Sequence, residues 1–305
     1  MANVLLLREP TVDAPDPYEL AFKEAGYHPM SIPVLETIPC NISTLGNVIK
    51  DGPTLQGFSG VVITSRRSCD AWRVALQFLE KSLSNNEGVP GVAGWCTVPF
   101  YVVGQATATA MKTVFSEFRH LGLGLLDIRG QDTGSAASLA AFILQDTDLR
   151  EKKLLYLVGD KYQDTMSRLL GPRGIVLEYL QTYMTQGSLT FTDKLTAALA
   201  SLTEGSKNWW IIFFAPSAAS FATPMLQQCF YLEEKTPSST SRPSNLPRAN
   251  VAAIGGTTDA FLRDELGLRV HAVPKKPTPQ DIVAVLSSTT SLSTAEMQIK
   301  MNVSS

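Results

Sequence analysis

The chain has 305 residues, 44% of them hydrophobic and 18% charged, with a net charge of −2. That length favours two domains, and the composition is that of a globular protein. A near-neutral balance excludes a global basic field for nucleic acid or an anionic membrane, so an anionic ligand must be held by local Arg or Lys or by backbone N–H groups.

Residues 4–7 form a short apolar strand with no basic region before it, so no signal peptide is expected. Asp16-Pro17 opens a helix over 18–25, with proline in a good first-turn position and Gly26 as the stop. Residues 28–39 read as extended but interrupted by Pro33 and Pro39, and a short helix follows near 45–50. GVVIT (60–64) is a buried strand that turns through Ser65-Arg66-Arg67-Ser68 into a helix over 69–81. A polar, Gly-rich surface loop is expected at 82–94. YVVGQATATAMK (101–112) runs from a strand through a tight turn into a helix, and Gly104 there tolerates angles that a Cβ forbids. Thr107 or Thr109 is expected to cap that helix, and its first unpaired N–H groups form a cradle for an anion. Residues 125–129 read as a strand and 136–144 as a helix behind Thr133 or Ser135.

The second part repeats the plan. Residues 154–159 form a strand, 164–170 a helix stopped at Gly171-Pro172, 174–185 a long extended segment and 195–202 a helix. WWIIFFA (209–215) is far too short to span a bilayer and reads as a buried parallel strand, with Pro216-Ser217 opening the next helix. Residues 233–248, rich in Ser, Pro and Lys, suggest a mobile surface insertion. VAAIGGTTDAFL (251–262) is a second strand, Gly turn, Thr pair and helix. A last strand is expected at 271–273, a helix start at Thr278-Pro279-Gln280-Asp281, and a frayed tail after about 287.

Cut near Arg150, the two parts align element by element, VLLLREP with LLYLVGD and YVVGQATATAM with VAAIGGTTDAF. The fold class is therefore a duplicated α/β architecture, each copy building a parallel sheet with helices on both faces. Ligands of such sheets bind beyond the carboxyl ends of the strands. There the sequence places Arg8, then Thr64-Ser65-Arg66, then Gly104, Gln105, Ala106 and Thr107, then Asp160-Lys161, then Ala215 to Ser217, and Gly255 with Thr257 and Thr258. One Ser or Thr alone is an ordinary helix cap; the repetition at nearly every strand end points to an anion-binding cleft between two similar domains. Arg66 and Arg67 could equally be solvated surface charges.

Other chemistries lack their signatures. No G-x-G-x-x-G follows the first strand, and neither a P-loop nor a G-x-S-x-G elbow is present. The histidines His28, His120 and His271 are scattered and show no metal-ligand spacing. Cys40, Cys69, Cys96 and Cys229 form no C-x-x-C pair and fit reduced thiols in the cytosol. An enzyme built this way must rely on binding geometry and backbone dipoles. The rivals are a non-catalytic two-domain protein closing on an anionic small molecule, and a Rossmann-like enzyme using a nucleotide.

One ordered series of motifs adds a family. T-S-R (64–66), Y-V-V-G-x-A-T-A (101–108), the Gly-x-Asp-Thr run (130–135), Y-x-T (183–185), F-x-P-S (214–217), A-I-G-x-T-T (253–258) and P-T-P-x-x-I (277–282) resemble uroporphyrinogen-III synthase over nearly the whole chain. The Ser/Pro-rich insertion marks a fungal-like member, and Gly256 stands where many members have proline. The resemblance implies one discontinuous domain of 1–37 plus 187–305, a second of 40–182, and a two-stranded linker near 32–39 and 177–186. It implies closure of hydroxymethylbilane, a linear tetrapyrrole, to uroporphyrinogen III with loss of water and no cofactor. Tyr183 aligns with the family's candidate catalytic tyrosine, its alternative being a linker residue that only packs. Thr107, Thr257 and Thr258 carry over as cleft residues. A cytoplasmic monomer that receives its substrate from hydroxymethylbilane synthase is the corresponding expectation.

Overall fold

The computed structural model describes residues 2–11, 14–82, 90–146, 152–201, 208–236 and 245–289. Residues 83–89 of the expected surface loop, 237–244 of the insertion and the tail beyond 289 lie outside the described residues. The chain divides into two compact units, residues 1–36 with 186–305, and residues 37–185.

The first half of the chain contributes β1 (Asn3–Leu7), α1 (Pro17–Glu24), β2 (His28–Ser31), β3 (Leu35–Pro39), α2 (Ile42–Gln56) and β4 (Phe58–Ile63). It continues with α3 (Arg66–Ser82), α4 (Pro90–Gly94), β5 (Phe100–Val102), α5 (Gln105–Glu117), β6 (Ile128–Arg129) and α6 (Ala136–Gln145). The second half contributes β7 (Lys153–Gly159), α7 (Thr165–Leu170), β8 (Val176–Gly187), α8 (Phe191–Ser201) and β9 (Trp209–Phe213). After these come α9 (Pro216–Cys229), β10 (Tyr231–Leu232), β11 (Arg248–Ala253), α10 (Gly256–Ala260) and a helix, α11, over 279–289.

One sheet has the order β10-β11-β9-β1-β2 and the other β3-β8-β7-β4-β5-β6. The pairs β1–β2, β1–β9, β9–β11, β4–β5, β4–β7, β5–β6 and β7–β8 are all parallel. Each sheet is covered on both faces, which is why its strands read as unbroken apolar runs. In β9, Trp209, Ile211 and Phe213 enter one core cluster, while Trp210 and Ile212 enter another. In β4, Val61 and Ile63 pack under α3 and α5, while Val62 faces the opposite cluster with Tyr101, Tyr156 and α6.

The expectation that each copy builds its own sheet is corrected. β1 and β2 of the first copy join β9 and β11 of the second, and β7 and β8 of the second join β4, β5 and β6 of the first. In both sheets the first strand of one copy lies against the third strand of the other: Leu5 opposite Ile211, and Ile63 opposite Leu157. The extended segment at 28–39, expected to be interrupted at Pro33, is two strands in two sheets with Pro33 between them.

Local differences have local causes. The short helix near 45–50 spans Ile42–Gln56, broken at Gly52 ahead of Pro53. Residues 90–94, expected as loop, are α4. The strand expected at 125–129 is only Ile128–Arg129, and the one at 271–273 is a single bridge from Ala272 to Ala252. Asp16, Ser135 and Thr278 cap their helices as the sequence indicates, accepting first-turn N–H groups at 3.0, 3.1 and 3.2 Å.

Candidate functional site

In the sheet of the 37–185 unit, strand order reverses between β7 and β4, and the crevice beyond such a reversal is the usual ligand site. β4 ends at Ile63, so Thr64 and Ser65 stand at its mouth, and β7 ends at Gly159, followed by the exposed Asp160 and Lys161. The Thr64 hydroxyl meets the Tyr156 hydroxyl at 3.4 Å. Burial pushes the Tyr156 phenol above its ordinary range, so it stays neutral. Ser65 Oγ accepts the Arg67 N–H at 3.3 Å, shaping the start of α3. Arg66 is exposed, and among the described residues neither Arg66 nor Lys161 has an ion-pair partner. Arg66 also borders a groove of about 320 Å³ between α3 and α5, with Asp70, Arg73, Ala106, Thr109 and Thr113.

Tyr183 lies on β8 opposite Gly159, half-buried. Its ring rests on the Gly159 backbone, and the Arg67 guanidinium sits 5.8 Å above the ring centroid, within cation–π range. Among the described residues nothing hydrogen-bonds its hydroxyl.

α5 starts beside this rim. Gly104 holds the N-cap position at φ 80°, ψ 152°, a conformation that favours glycine, and no side chain bonds the first-turn amides. The expected threonine cap is absent. Thr107 is inside the helix and buried, and its carbonyl accepts the Cys69 S–H at 3.7 Å, so it helps fasten α5 to α3. Gln105 and Ala106 are exposed, and Gln105 donates to Asp132 at 2.9 Å. The first turn of α5 thus presents bare N–H groups, a local site for negative charge.

In the other unit, the reversal lies between β1 and β9. Arg8, just past β1, is committed internally. It donates to Asp16 at 2.6 Å and lies 4.9 Å and 5.6 Å from the ring centres of Tyr18 and Phe214. Burial alone would raise the Asp16 carboxyl, but donors from Thr11, Glu19 and Arg8 outweigh it and hold it below its ordinary value. Ser217 is exposed in the first turn of α9, whose N-cap Ala215 supplies no side-chain bond. α10 is likewise uncapped: Gly255 is extended, Thr257 exposed and Thr258 buried.

The uroporphyrinogen-III synthase HemD family matches residues 16–284, nearly the whole chain. The chain belongs to this family. It is 26% identical over 289 residues to the uroporphyrinogen-III synthase of Saccharomyces cerevisiae (strain ATCC 204508 / S288c), covering 92% of this chain and 94% of the relative. It is 26% identical over 287 residues to that of Schizosaccharomyces pombe (strain 972 / ATCC 24843), covering 93% and 96%. Among solved structures, uroporphyrinogen-III synthetase from Helicobacter pylori 26695 is 16% identical at a TM-score of 0.41, covering 94% of this chain and 99% of that one. The wild-type enzyme of the extremely thermophilic bacterium Thermus thermophilus is 14% identical at a TM-score of 0.36, covering 96% and 100%.

For this uroporphyrinogen-III synthase family member, sequence reasoning named the rim but missed what holds it. Arg67, Gly159 and Asp16 were not singled out as site residues, although each adjoins one that was. A signal existed for Asp16, an acid before Pro17 at a helix start. No one-dimensional signal ties Gly159 to Tyr183, which lie on different strands. Among the described residues no group of three or more His, Cys, Asp or Glu side chains could hold a metal, and no helix is long and apolar enough to cross a membrane.

Proposed function

We infer that this chain is a uroporphyrinogen-III synthase, a lyase that closes hydroxymethylbilane to uroporphyrinogen III with inversion of the last ring. The observation that carries the reading is the family match over residues 16–284. The site chemistry supports it. The substrate carries several carboxylates and little else to grip. In the 37–185 unit the uncapped first turn at Gln105 and the unpaired cations Arg66 and Lys161 suit such a ligand without a basic surface, and the other unit, taken by itself, offers uncapped first turns at Ser217 and Thr257.

Tyr183 is the proposed general acid. Its phenol protonates the terminal hydroxyl as the C–O bond breaks and water departs, while the pyrrole nitrogen pushes in electrons to leave an electrophilic azafulvene. The substituted carbon of the last ring attacks that methylene and forms the spiro-pyrrolenine. This fragments at its other methylene bond and recloses in the inverted sense, and the proton released on rearomatisation returns to the phenolate. The net change is loss of one water, so no cofactor is needed. The protein's chief task is to fold a flexible chain so that spiro closure outruns simple head-to-tail closure. Thr107, being buried, shapes this rim, and Arg8 supports the matching rim of its own unit through Asp16. A cytoplasmic monomer taking its substrate from hydroxymethylbilane synthase completes the proposal.

Fresh hydroxymethylbilane given to the purified protein is expected to yield mainly the type III isomer, read by chromatography after oxidation. Uncatalysed closure gives type I. A product that stays type I would sink the enzyme reading, and tight substrate binding without turnover would favour the binding protein.

A further inference from the structure

The register between β7 and β8 slips by one residue just before Tyr183. Val158 pairs with Gln181, but Gly159 pairs with Tyr183, so Thr182 is the extra residue of a β-bulge. Bulges bend a strand and re-aim its side chains, and they concentrate beside active sites. This one is held from three sides. The Thr182 hydroxyl, fully buried, shares its one proton between the Val158 carbonyl and Ser68 Oγ, each at 3.4 Å. Ser68 in turn donates to the Leu157 carbonyl at 3.3 Å. The Thr182 carbonyl accepts the Cys40 N–H at 2.9 Å. Leu180 and Thr182 share the strand phase that faces the core under α3, so a polar residue there breaks the apolar pattern for a reason.

The bulge sets Tyr183 against the one position where its ring fits. A Cβ at residue 159 would lie 2.3, 2.5 and 2.8 Å from Cε2, Cζ and the hydroxyl oxygen of Tyr183. Only a bare backbone lets the phenol end of the ring settle there. Arg67, the residue before Ser68, flanks the same ring at 5.8 Å. The helix start that anchors the bulge therefore also touches the tyrosine.

We propose that Gly159 and Thr182 are positioning residues of the reaction: the Thr182 bulge delivers the Tyr183 ring to the Gly159 seat, and the two together fix where the phenol points. This rests on the proposed synthase activity. A displacement of about 1 Å at a proton donor is enough to cost a large factor in rate.

The test is a kinetic series on the full chain with fresh hydroxymethylbilane. Gly159→Ala and Thr182→Val are each expected to lower kcat at least about tenfold, with KM little changed and more type I product. Thr182→Ser, which keeps the hydroxyl, is expected to recover most of the turnover; a merely space-filling role for Thr182 would not separate Ser from Val. In a Tyr183→Phe background, Gly159→Ala is expected to add almost nothing, because it acts through the missing hydroxyl. Wild-type kcat in both Gly159→Ala and Thr182→Val, or full additivity of Gly159→Ala with Tyr183→Phe, overturns the inference while leaving the synthase reading intact. Absence of type III product from the wild type overturns both. Thr182→Val keeps shape and volume, so it reports even where the Gly159 variant does not fold.

Discussion

At the scale of single residues, the candidate site sets groups left without partners among the described residues beside groups that are fully engaged. Tyr183 offers a hydroxyl that no described residue occupies, and Arg66 and Lys161 offer charges in the same state. Tyr183→Phe removes one oxygen and leaves the ring on Gly159. It is expected to lower kcat by about tenfold to a hundredfold, the scale of a positioned proton donor, with the fold unchanged by circular dichroism. Wild-type turnover in that variant would remove Tyr183 from the chemistry. The sequence supplied Tyr183 by its place in an ordered series of motifs, and the threonines by their place after glycine turns. It misjudged what Thr107 does, because capping preference is local, whereas the burial of Thr107 and the bond from Cys69 of α3 to its carbonyl are set by packing. Arg8 shows the same limit from the other side: its charge is legible in one dimension, its neutralisation by Asp16 is not.

At the scale of elements, the edge beyond β11 carries a pH-dependent bond. The Val251 N–H donates to His271 Nδ1 at 3.1 Å, and the His271 backbone N–H donates to the Val251 carbonyl at 2.8 Å. Protonation at Nδ1 would set a second N–H against the first and lose that bond. Burial, then the nearby Arg269 and Arg248, push the imidazole below its ordinary value of 6.5, against the opposing pull of Glu233. The unfolded chain then binds a proton that the folded chain refuses, so stability falls as pH drops below about 6.5. Glu233 acts lower. Burial would raise its carboxyl, but Arg269, Arg248 and His271 hold it below its ordinary value, so its contribution is lost only as pH falls further through that lowered value. Urea unfolding at about pH 7.5 and about pH 5.5 is expected to show lower stability at the acid end, and His271→Gln is expected to flatten that difference. An equal slope in the variant would rule out His271 as its source. None of this was readable in the chain, because Glu233 lies in a Ser/Pro-rich stretch expected to be surface insertion and the partners come from residues 15 to 38 positions away.

At the scale of the whole molecule, the duplication was legible in the repeat itself, whereas its wiring was implied only by the family resemblance and not by the repeat. Matching strands, Gly turns and Thr pairs recur in order, which is a one-dimensional pattern. Which copy's strand lies against which is set by where the chain crosses, at β3 and β8, and an alignment of the copies does not contain that information. The exchange has a consequence for fragments. Residues 1–150, the first copy, lack β7, which sits between β8 and β4. Loss of β7 takes away the buried side chains Leu154, Leu155, Tyr156, Leu157 and Val158. At about 2 kcal/mol each that is about 10 kcal/mol, the size of a domain's whole net stability. The contiguous segment 37–185 instead keeps β4 to β7 and their two core clusters, with β8 up to Thr185. Expressed alone, 37–185 is expected to melt cooperatively and give dispersed amide resonances, whereas 1–150 is expected to do neither. A cooperative melt from 1–150 would mean that one copy is self-sufficient, and the exchanged strands would then not be what holds the sheet together.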